Sequence, residues 1–577
     1  MAMNVNVGCA PLRGAGDNTS RPALLAWDGR LDNRVDLLAR LRNSLGHETN
    51  NEALVLAAYE RWGIPGLRQV IGDWSVVIQD AGSRAVVLAS DFAGVRPLYY
   101  SRQGETVLWS ASLQSLVEAT GINAMDEMYI GGFLTLGGYP NRTPYTGIHS
   151  VPPGNAVRIT ATQSTAHSFW SLPTGDVVRY QDERRYEEQL RALFVEAVSV
   201  RLQTEGTAVA ELSGGLDSSS VVCMASHLIR NGTVLARQLK TVSYVYGGSL
   251  DTPFIREVEA FCSLDGVHLS PRANLAVAED MGCDPMPDAW TTLRRSTTAV
   301  ARRLGATAML TGQGGDLVMG NWLDDSLQVT ASLRGGIGQA WRDALAWSKV
   351  LRVPVAGILV RALRANLPTA FAPSAVYATE RGCSAMDEEH SLASRFRKRM
   401  GLTETFSLFS EDWKQAPPER RKHFQALTAM RELRTLQVPA TMADLDYTHP
   451  FVHRPLVEFL MSVPADILCR PGEPRRLMRR ALADMWPSKL RTRRSKSLFV
   501  APLTDVLMPL VLRLQRTPRW QVVERGWVDR GSLAGRLDRF IHGVGCNEPQ
   551  LRQIILLEYW LRARLHEPQD ETVLRTA

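Results

Sequence analysis

The chain has 577 residues, 45% hydrophobic and 22% charged, with 66 Lys+Arg against 59 Asp+Glu for a net charge of +7. This is the composition of a soluble globular protein too long for one ordinary domain, so two or three domains are expected. The mild basic excess suits an acidic ligand, but no aromatic-rich RNP-like pattern accompanies it, so no nucleic acid is expected as partner.

The N-terminal stretch up to Asn18 has no basic-then-apolar signal segment. The seven cysteines, Cys9, Cys223, Cys262, Cys283, Cys383, Cys469 and Cys546, are odd in number and form no CxxC. A disulfide framework or zinc ribbon does not fit; reduced thiols do. The apolar run from Val353 to Val360 is too short to span a bilayer and is flanked by Arg352 and Arg361. A cytoplasmic protein without a membrane span is expected.

In chain order, the first elements make an α+β unit rich in short strands. Residues 51 to 62 read as a helix with Leu54, Ala57, Ala58 and Trp62 on one face. Val86 to Ala89 and Leu98 to Tyr100 read as strands separated by a turn at Ala93-Gly94, and Pro152-Pro153-Gly154 is a strong turn. Domain boundaries are placed at residues 1–172 and 184–577, with the polar segment Pro173 to Asp182 as linker. Tyr186, Leu190, Leu193, Phe194, Ala197, Val198 and Leu202 recur at helical spacing and open the second domain. Ala208 to Leu212, Thr241 to Tyr246 and Ala308 to Thr311 read as strands alternating with helical segments. That alternation argues for an α/β domain with a parallel sheet, whose ligands sit at the carboxyl ends of the strands. From about residue 320 the pattern is mainly helical.

Two loops follow such strand ends. The first, Ser213-Gly214-Gly215-Leu216-Asp217-Ser218-Ser219, precedes the apolar turns of Ser220 to Ile229. A strand, a small-residue turn and a helix start form an anion cradle, because the backbone approaches a phosphate closely and free N–H groups point at it. Asp217 would repel that phosphate unless a divalent cation lay between them. The spacing is neither GxxxxGK[ST] nor GxGxxG. The bland reading, a Gly-Ser turn that merely opens a helix, leaves six specified positions unexplained. The second loop, Gly312-Gln313-Gly314-Gly315-Asp316, supplies a further carboxylate; Asp217 and Asp316 are placed to share Mg²⁺ on a triphosphate. A third stretch, Arg491-Thr492-Arg493-Arg494-Ser495-Lys496-Ser497-Leu498-Phe499, reads on composition as a solvated basic segment.

The first loop resembles the SGGxDS pyrophosphate loop of ATP-pyrophosphatases, which cleave ATP between the α- and β-phosphates. The three stretches in this order, with Pro450 to Glu458 and Ser462-Val463-Pro464, resemble the synthetase domain of the asparagine synthetase B family. Trp27 to Asn33, Gly72-Asp73-Trp74 and Asp91 to Tyr100 resemble that family's Ntn-type glutamine amidotransferase domain. The resemblance implies an α+β amidotransferase-like N-terminal domain before an α/β ATP-pyrophosphatase domain with a helical C-terminal part. It implies ATP and Mg²⁺ as cofactors, with Asp217 and Asp316 on the metal. Ser213, Gly214, Gly215, Ser218, Ser219, Gly314 and Gly315 would lie on the phosphates. Leu212, Ser243, Gly312 and Gln313 would lie along the nucleotide pocket. It also maps the family's catalytic lysine onto Lys496, with Asp217 and Asp316 as its catalytic companions.

Three departures narrow the branch. Glutaminase chemistry needs an N-terminal cysteine, whereas this chain starts Met1-Ala2-Met3 and processing would expose Ala2; Cys9 would need a further cleavage. Asparagine synthetases carry Glu, and β-lactam synthetases Tyr, where Gln313 stands, and an amide cannot take a proton at neutral pH. An attacking α-amine, with a pKa of about 8, suits such a site better than a lysine amine. The family's Pro-Phe-Leu-Asp pattern reads Pro450-Phe451-Val452-His453 here. That pattern, and the continuation of the second loop as Leu317-Val318-Met319-Gly320-Asn321, look like the macrolactam synthetases of lasso-peptide biosynthesis. These adenylate an Asp or Glu side chain of a precursor peptide and close an isopeptide ring with its N-terminal amine. A precursor peptide, a leader peptidase and a leader-binding module are then the expected partners. A β-lactam-synthetase-like or asparagine-synthetase-like enzyme on a small amino acid derivative, and a peptide-holding scaffold, remain the alternatives.

Overall fold

In a computed structural model, residues 7–12, 22–42, 49–80, 82–135, 139–175, 177–271, 289–320, 328–366, 391–402, 412–438, 442–493, 500–544 and 549–565 are described. Period-2 apolar runs dictate the N-terminal architecture. In β3 (Trp74–Asp80) and β4 (Ala85–Ser90), Val76, Ile78, Val87 and Ala89 point to one side, and Val77, Val86 and Leu88 to the other. Both faces are therefore buried, as the alternation of a pleated strand requires when each face meets a packed layer.

Strand β1 is Gly8–Pro11 and β2 is Ala23–Gly29. They are joined by β5 (Tyr99–Gln103), β6 (Thr106–Ser110), β7 (Ile148–Ser150), β8 (Asn155–Ile159) and β9 (Ser164–Ser168). One antiparallel sheet runs β2-β3-β4-β8-β9 and a second runs β1-β6-β5-β7. Ala10, Tyr100, Val107 and Trp109 of the second sheet share a core with Val77, Val86, Leu88 and Val157 of the first. The outer face of the first sheet carries α1 (Arg34–Leu41) and α2 (Asn51–Trp62). The outer face of the second packs α3 (Leu113–Thr120) and α4 (Glu127–Leu134) against helices from the far C-terminus, including Pro549–Leu565.

The C-terminal domain starts at α5 (Arg184–Ser199), whose Tyr186, Leu190, Phe194, Ala197 and Val198 are buried at helical spacing. Its sheet comprises β10 (Gly206–Glu211), β11 (Ala236–Tyr244), β12 (Gly266–Leu269), β13 (Ala306–Leu310) and β14 (Asp446–Thr448). Every neighbouring pair is parallel, in the order β12-β11-β10-β13-β14. Helices α6 (Leu216–Arg230), α7 (Thr252–Cys262) and α8 (Ala289–Arg303) supply the crossovers. The order reverses at β10, so the ends of β10 and β13 flank a topological switch point, where an open α/β sheet leaves a crevice for ligand. Beyond β13 the chain is mainly helical, with β14 as the exception. Its three residues complete the sheet from a region whose pattern reads as helix.

A buried network of charge joins the two domains. Arg30 donates to Asp32 (2.6 Å), Asp73 (2.8 Å) and Asp446 (2.9 Å), and Arg96 donates to Asp446 (2.8 Å). Arg201 donates through Nε to Thr448 Oγ1 (2.8 Å), which itself donates to Asp73 (2.8 Å). Burial pushes the Asp32 and Asp73 carboxyls up, but Arg30 and Arg201 outweigh it; Asp73 is lowered to about 2 and Asp32 is held well below the usual range. His453 is buried in the same interface, with Nδ1 3.3 Å from Asp32 and Nε2 3.4 Å from Glu196. Cys9 lies exposed in β1, opposite Leu108 of β6. Among the described residues no helix is long and apolar enough to cross a membrane.

Candidate active site

The two glycine loops are pressed together at the switch point. Strand β10 ends at Glu211, and Leu212 N–H donates to the Val242 carbonyl (2.9 Å), fixing the loop start against β11. Gly214 adopts φ +73°, a left-handed conformation that favours glycine; a Cβ there would also stand 2.7 Å from the Asp251 carbonyl oxygen. The chain then enters α6 at Leu216, with Asp217, Ser218 and Ser219 in its first turn. The Ser218 hydroxyl turns back to the loop, 3.0 Å from Ser213 Oγ, and accepts the Ser213 N–H (3.1 Å). Gly312, after β13, lies so close to this turn that a Cβ would be 2.5 Å from the Ser218 nitrogen. The small-residue requirement thus serves loop–loop contact as well as ligand approach.

Asp217 and Asp316 come to one place, with Arg475 between them. Arg475 Nη1 donates to Asp217 Oδ1, and its Nη2 is 3.9 Å from Asp316 Oδ1. Asp217 and Arg475 are buried, whereas the Asp316 side chain is 43% exposed. Arg475 holds a left-handed backbone, φ 54°, at the start of helix Arg476–Ala481. That conformation costs a non-glycine residue about 1–2 kcal/mol, and Arg475 adopts it where its side chain reaches both carboxylates. Arg493 marks a second cationic contact. It donates to the Gly214 carbonyl and to the Asp251 carboxylate, and its guanidinium lies 4.0 Å over the Phe254 ring. The basic stretch therefore meets the first loop at Arg493; Lys496 lies outside the described residues.

The donor set fits a metal-bound polyphosphate. The Ser219 hydroxyl, in the first turn of α6, and the Ser243 hydroxyl, near the end of β11, are buried and meet no hydrogen-bond partner among the described residues. A buried hydroxyl left in that state costs about 1–3 kcal/mol, which a polar ligand removes. The two carboxylates are already bridged by a cation. Among the described residues no three His, Cys, Asp and Glu side chains are grouped to hold a metal by themselves. A cation at Asp217 and Asp316 would therefore share its coordination with phosphate oxygens and water.

Behind the loops a polar layer supports Gln313. Arg294 of α8 donates to Gln313 Oε1 (3.2 Å) and to the Thr435 carbonyl (3.2 Å). The Gln313 N–H donates to Thr311 Oγ1 (3.2 Å), which lies 2.7 Å from His449 Nδ1. His449 Nε2 faces the Leu436 carbonyl (3.1 Å). A carbonyl only accepts, so the ring hydrogen is on Nε2 and Nδ1 accepts from the Thr311 hydroxyl. Burial lowers the His449 pKa to about 3, and the ring is neutral. Glu211, at the end of β10, accepts on one oxygen, Oε1, from Thr297 Oγ1 (3.0 Å) and from the Tyr447 hydroxyl (3.2 Å). Burial raises its carboxyl above the usual range, with Arg294 opposing.

Sequence reasoning brought Leu212 to Ser219, Ser243 and Gly312 to Asp316 to the same strand ends, and missed Arg475 and Arg294. Arg493 was singled out only as part of a basic stretch, and Glu211 had a local signal, a carboxylate immediately before an anion cradle. Two clefts, of about 570 and 360 Å³, open on the N-terminal domain. Neither is lined by a residue of the two loops, where the convergent polar groups are.

Comparison with known proteins agrees with this geometry. Residues 189–562 match the asparagine synthase family, and residues 6–170 match a glutamine amidotransferase domain. Amidase chry2 of Gibberella zeae is 26% identical over 291 residues, 47% of this chain and 42% of that protein. Putative asparagine synthetase [glutamine-hydrolyzing] 2 of Methanocaldococcus jannaschii is 25% identical over 319 residues, 52% and 59% of the two chains. Asparagine synthetase [glutamine-hydrolyzing] 3 of Bacillus subtilis is 26% identical over 217 residues, 36% and 34%. The matches span between about a third and three-fifths of these relatives. The expected fold class holds: an Ntn-type amidotransferase-like domain, then an ATP-pyrophosphatase-type domain with a parallel sheet and a helical C-terminal part.

Proposed function

We propose, from the premise that this chain belongs to the asparagine synthase family, that it is an ATP-dependent, AMP-forming ligase closing a macrolactam ring in a precursor peptide. The observation that carries the peptide reading is Gln313. It stands at the end of β13, beside the Asp217–Arg475–Asp316 group, and is oriented by Arg294. A side-chain amide orients a nucleophile without taking its proton, which suits an α-amine more than a lysine amine.

In this reading the peptide's Asp or Glu carboxylate attacks the α-phosphorus of ATP and pyrophosphate leaves. Ser213, Gly214, Gly215, Ser218, Ser219, Gly314 and Gly315, with the amino end of α6, hold the departing anion. Asp217 and Asp316 hold Mg²⁺, which when bound offsets the charge of the triphosphate. Leu212, Ser243 and Gly312 line the adenosine pocket. The role assigned to Lys496 is to stabilise the α-phosphate and the developing oxyanion, worth roughly 3–4 kcal/mol in comparable sites. The peptide's α-amine then attacks the acyl carbon and AMP leaves. Much of the rate comes from holding that amine near the activated carboxyl in a prefolded peptide. A leader peptidase and a leader-binding module are the partners this chemistry requires, and the cytoplasm, with its ATP, is the fitting compartment.

The test is mass spectrometry of a precursor peptide, leaderless or co-processed, incubated with the protein, ATP and Mg²⁺, with nucleotides quantified in parallel. The expected result is loss of one water from the peptide, with AMP and pyrophosphate formed in step. AMP formation with an unchanged peptide would move the substrate to a small amino acid derivative. No nucleotide turnover with either class would overturn the ligase reading.

A further inference from the structure

The proposed reaction releases a proton that no group discussed so far accepts. When the α-amine attacks, a C–N bond forms, the bond from the acyl carbon to the AMP oxygen breaks, and the electron pair leaves on AMP. The nitrogen must shed a proton. Gln313 cannot take it. His449 is near, but its Nδ1 lone pair accepts from Thr311 and its Nε2–H donates to Leu436.

Two carboxylates at this end of the sheet lie outside the metal group, and one of them, Asp251, is paired with Arg493. Glu211 ends β10, directly before the anion cradle, where a negative charge so close to phosphate needs a reason. Both of its hydroxyl donors, Thr297 and Tyr447, converge on Oε1. Among the described residues no hydrogen-bond donor meets Oε2. The residue is half-buried rather than sealed in the core. Arg294 links it to the substrate side: the same guanidinium that interacts electrostatically with Glu211 donates to Gln313 Oε1.

The geometry points to Glu211 Oε2 as the acceptor of the amine proton in ring closure, with Gln313 orienting the amine and Glu211 deprotonating it. This inference rests on the ligase reading above. The surroundings agree with the task. The charged and titratable groups facing Glu211 are Arg294 from α8, Tyr447 from β14 and Tyr244 from β11. Burial raises the carboxyl, the direction that strengthens a general base, with Arg294 opposing.

Glu211→Gln tests the assignment, because an amide keeps an acceptor oxygen for Thr297 and Tyr447 but takes no proton. The full chain is assayed with ATP, Mg²⁺ and a synthetic precursor peptide carrying a free N-terminal amine. Ring closure is measured in one arm. In the other, the peptide's N-terminus is acetylated and hydroxylamine, largely deprotonated at pH 7, traps the activated carboxyl as a hydroxamate. The expected result is a fall in ring closure of about 100-fold, in the range of general-base removal, with hydroxamate formation within about twofold of wild type. The acidic limb of the ring-closure pH profile should also lose the contribution of the carboxyl and keep that of the peptide's amine. Ring closure within threefold of wild type with an unchanged profile would overturn the inference, as would loss of hydroxamate formation together with ring closure. Failure of the ligase reading itself looks different: the unsubstituted chain would form neither ring nor hydroxamate.

Discussion

Arg475 donates a buried hydrogen bond to Asp217 while its other terminal nitrogen approaches Asp316 to 3.9 Å. Residues 258 positions apart thus meet at the loop expected to carry the metal. Truncating Arg475 leaves a buried carboxylate without its cation. Arg475→Ala should lower the stability of the ligand-free protein by about 3 kcal/mol, the cost of breaking a buried ion pair. Urea unfolding with and without Mg²⁺ and ATP checks this, and the deficit should shrink when both are present. An unchanged midpoint would show that the pair contributes no net stability.

Gly312 bears on the nucleotide loop more than on the fold. A Cβ there meets the Ser218 nitrogen at 2.5 Å, backbone against backbone, so neither side can yield cheaply. Gly312→Ala should cost about 1–3 kcal/mol of stability through overpacking. It should also reduce pyrophosphate exchange into ATP at least tenfold, because the second loop is driven off the first. Exchange at the wild-type rate in a folded variant would contradict the loop–loop contact.

The buried histidines fix a pH dependence. His449 and His423 are both lowered by burial to about 3, from an ordinary value near 6.5. Between those values the unfolded chain binds protons that the folded chain does not, so stability falls as pH drops below about 6.5. Each histidine contributes roughly 1.4 kcal/mol per pH unit in that window. Denaturation midpoints from pH 7 to 5 should decline, with buried Asp91, raised to about 7, opposing part of the slope, and His449→Asn should flatten it. A slope unaltered by that substitution would place the acid sensitivity elsewhere.

The domain interface predicts a failed dissection. Arg201 and Thr448 belong to the C-terminal domain, but Asp32 and Asp73 face them from the N-terminal one, with Arg201 within 3.7 and 3.5 Å of the two carboxylates. Residues 184–577 expressed alone should be insoluble or unfolded, because apolar residues that share clusters with the N-terminal domain are exposed. A soluble fragment melting cooperatively near the full-length temperature would show that the network is dispensable. Cys9→Ala, by contrast, should leave both stability and AMP formation unchanged, since Cys9 projects from the edge of a sheet into solvent.

How much of this was legible depended on whether the signal was local. The helix over residues 51–62 and the strands before both loops were readable because apolar period and glycine turns act over a few residues. Their observed bounds, Gly206–Glu211 and Ala306–Leu310, differ from the expected ones by only a residue or two. Strand β14 was not readable, since Asp446-Tyr447-Thr448 is too short to carry a period and lies among helices. Arg475, Arg294 and Arg493 were hidden for another reason. The chain has 66 Lys and Arg, and which of them turn inward is decided by carboxylates brought close only by folding.

Each of the three residues of β14 is tied to partners distant in the chain. Asp446 is held by Arg30 and Arg96, Tyr447 by Glu211, and Thr448 by Asp73, Arg201 and Arg30. No single substitution in the strand can be absorbed locally, because its compensation lies as many as 418 positions away. Among descendants of this chain, β14 and the arginines of the N-terminal domain should change in concert or not at all. The two domains would then be inherited together whatever chemistry either of them performs.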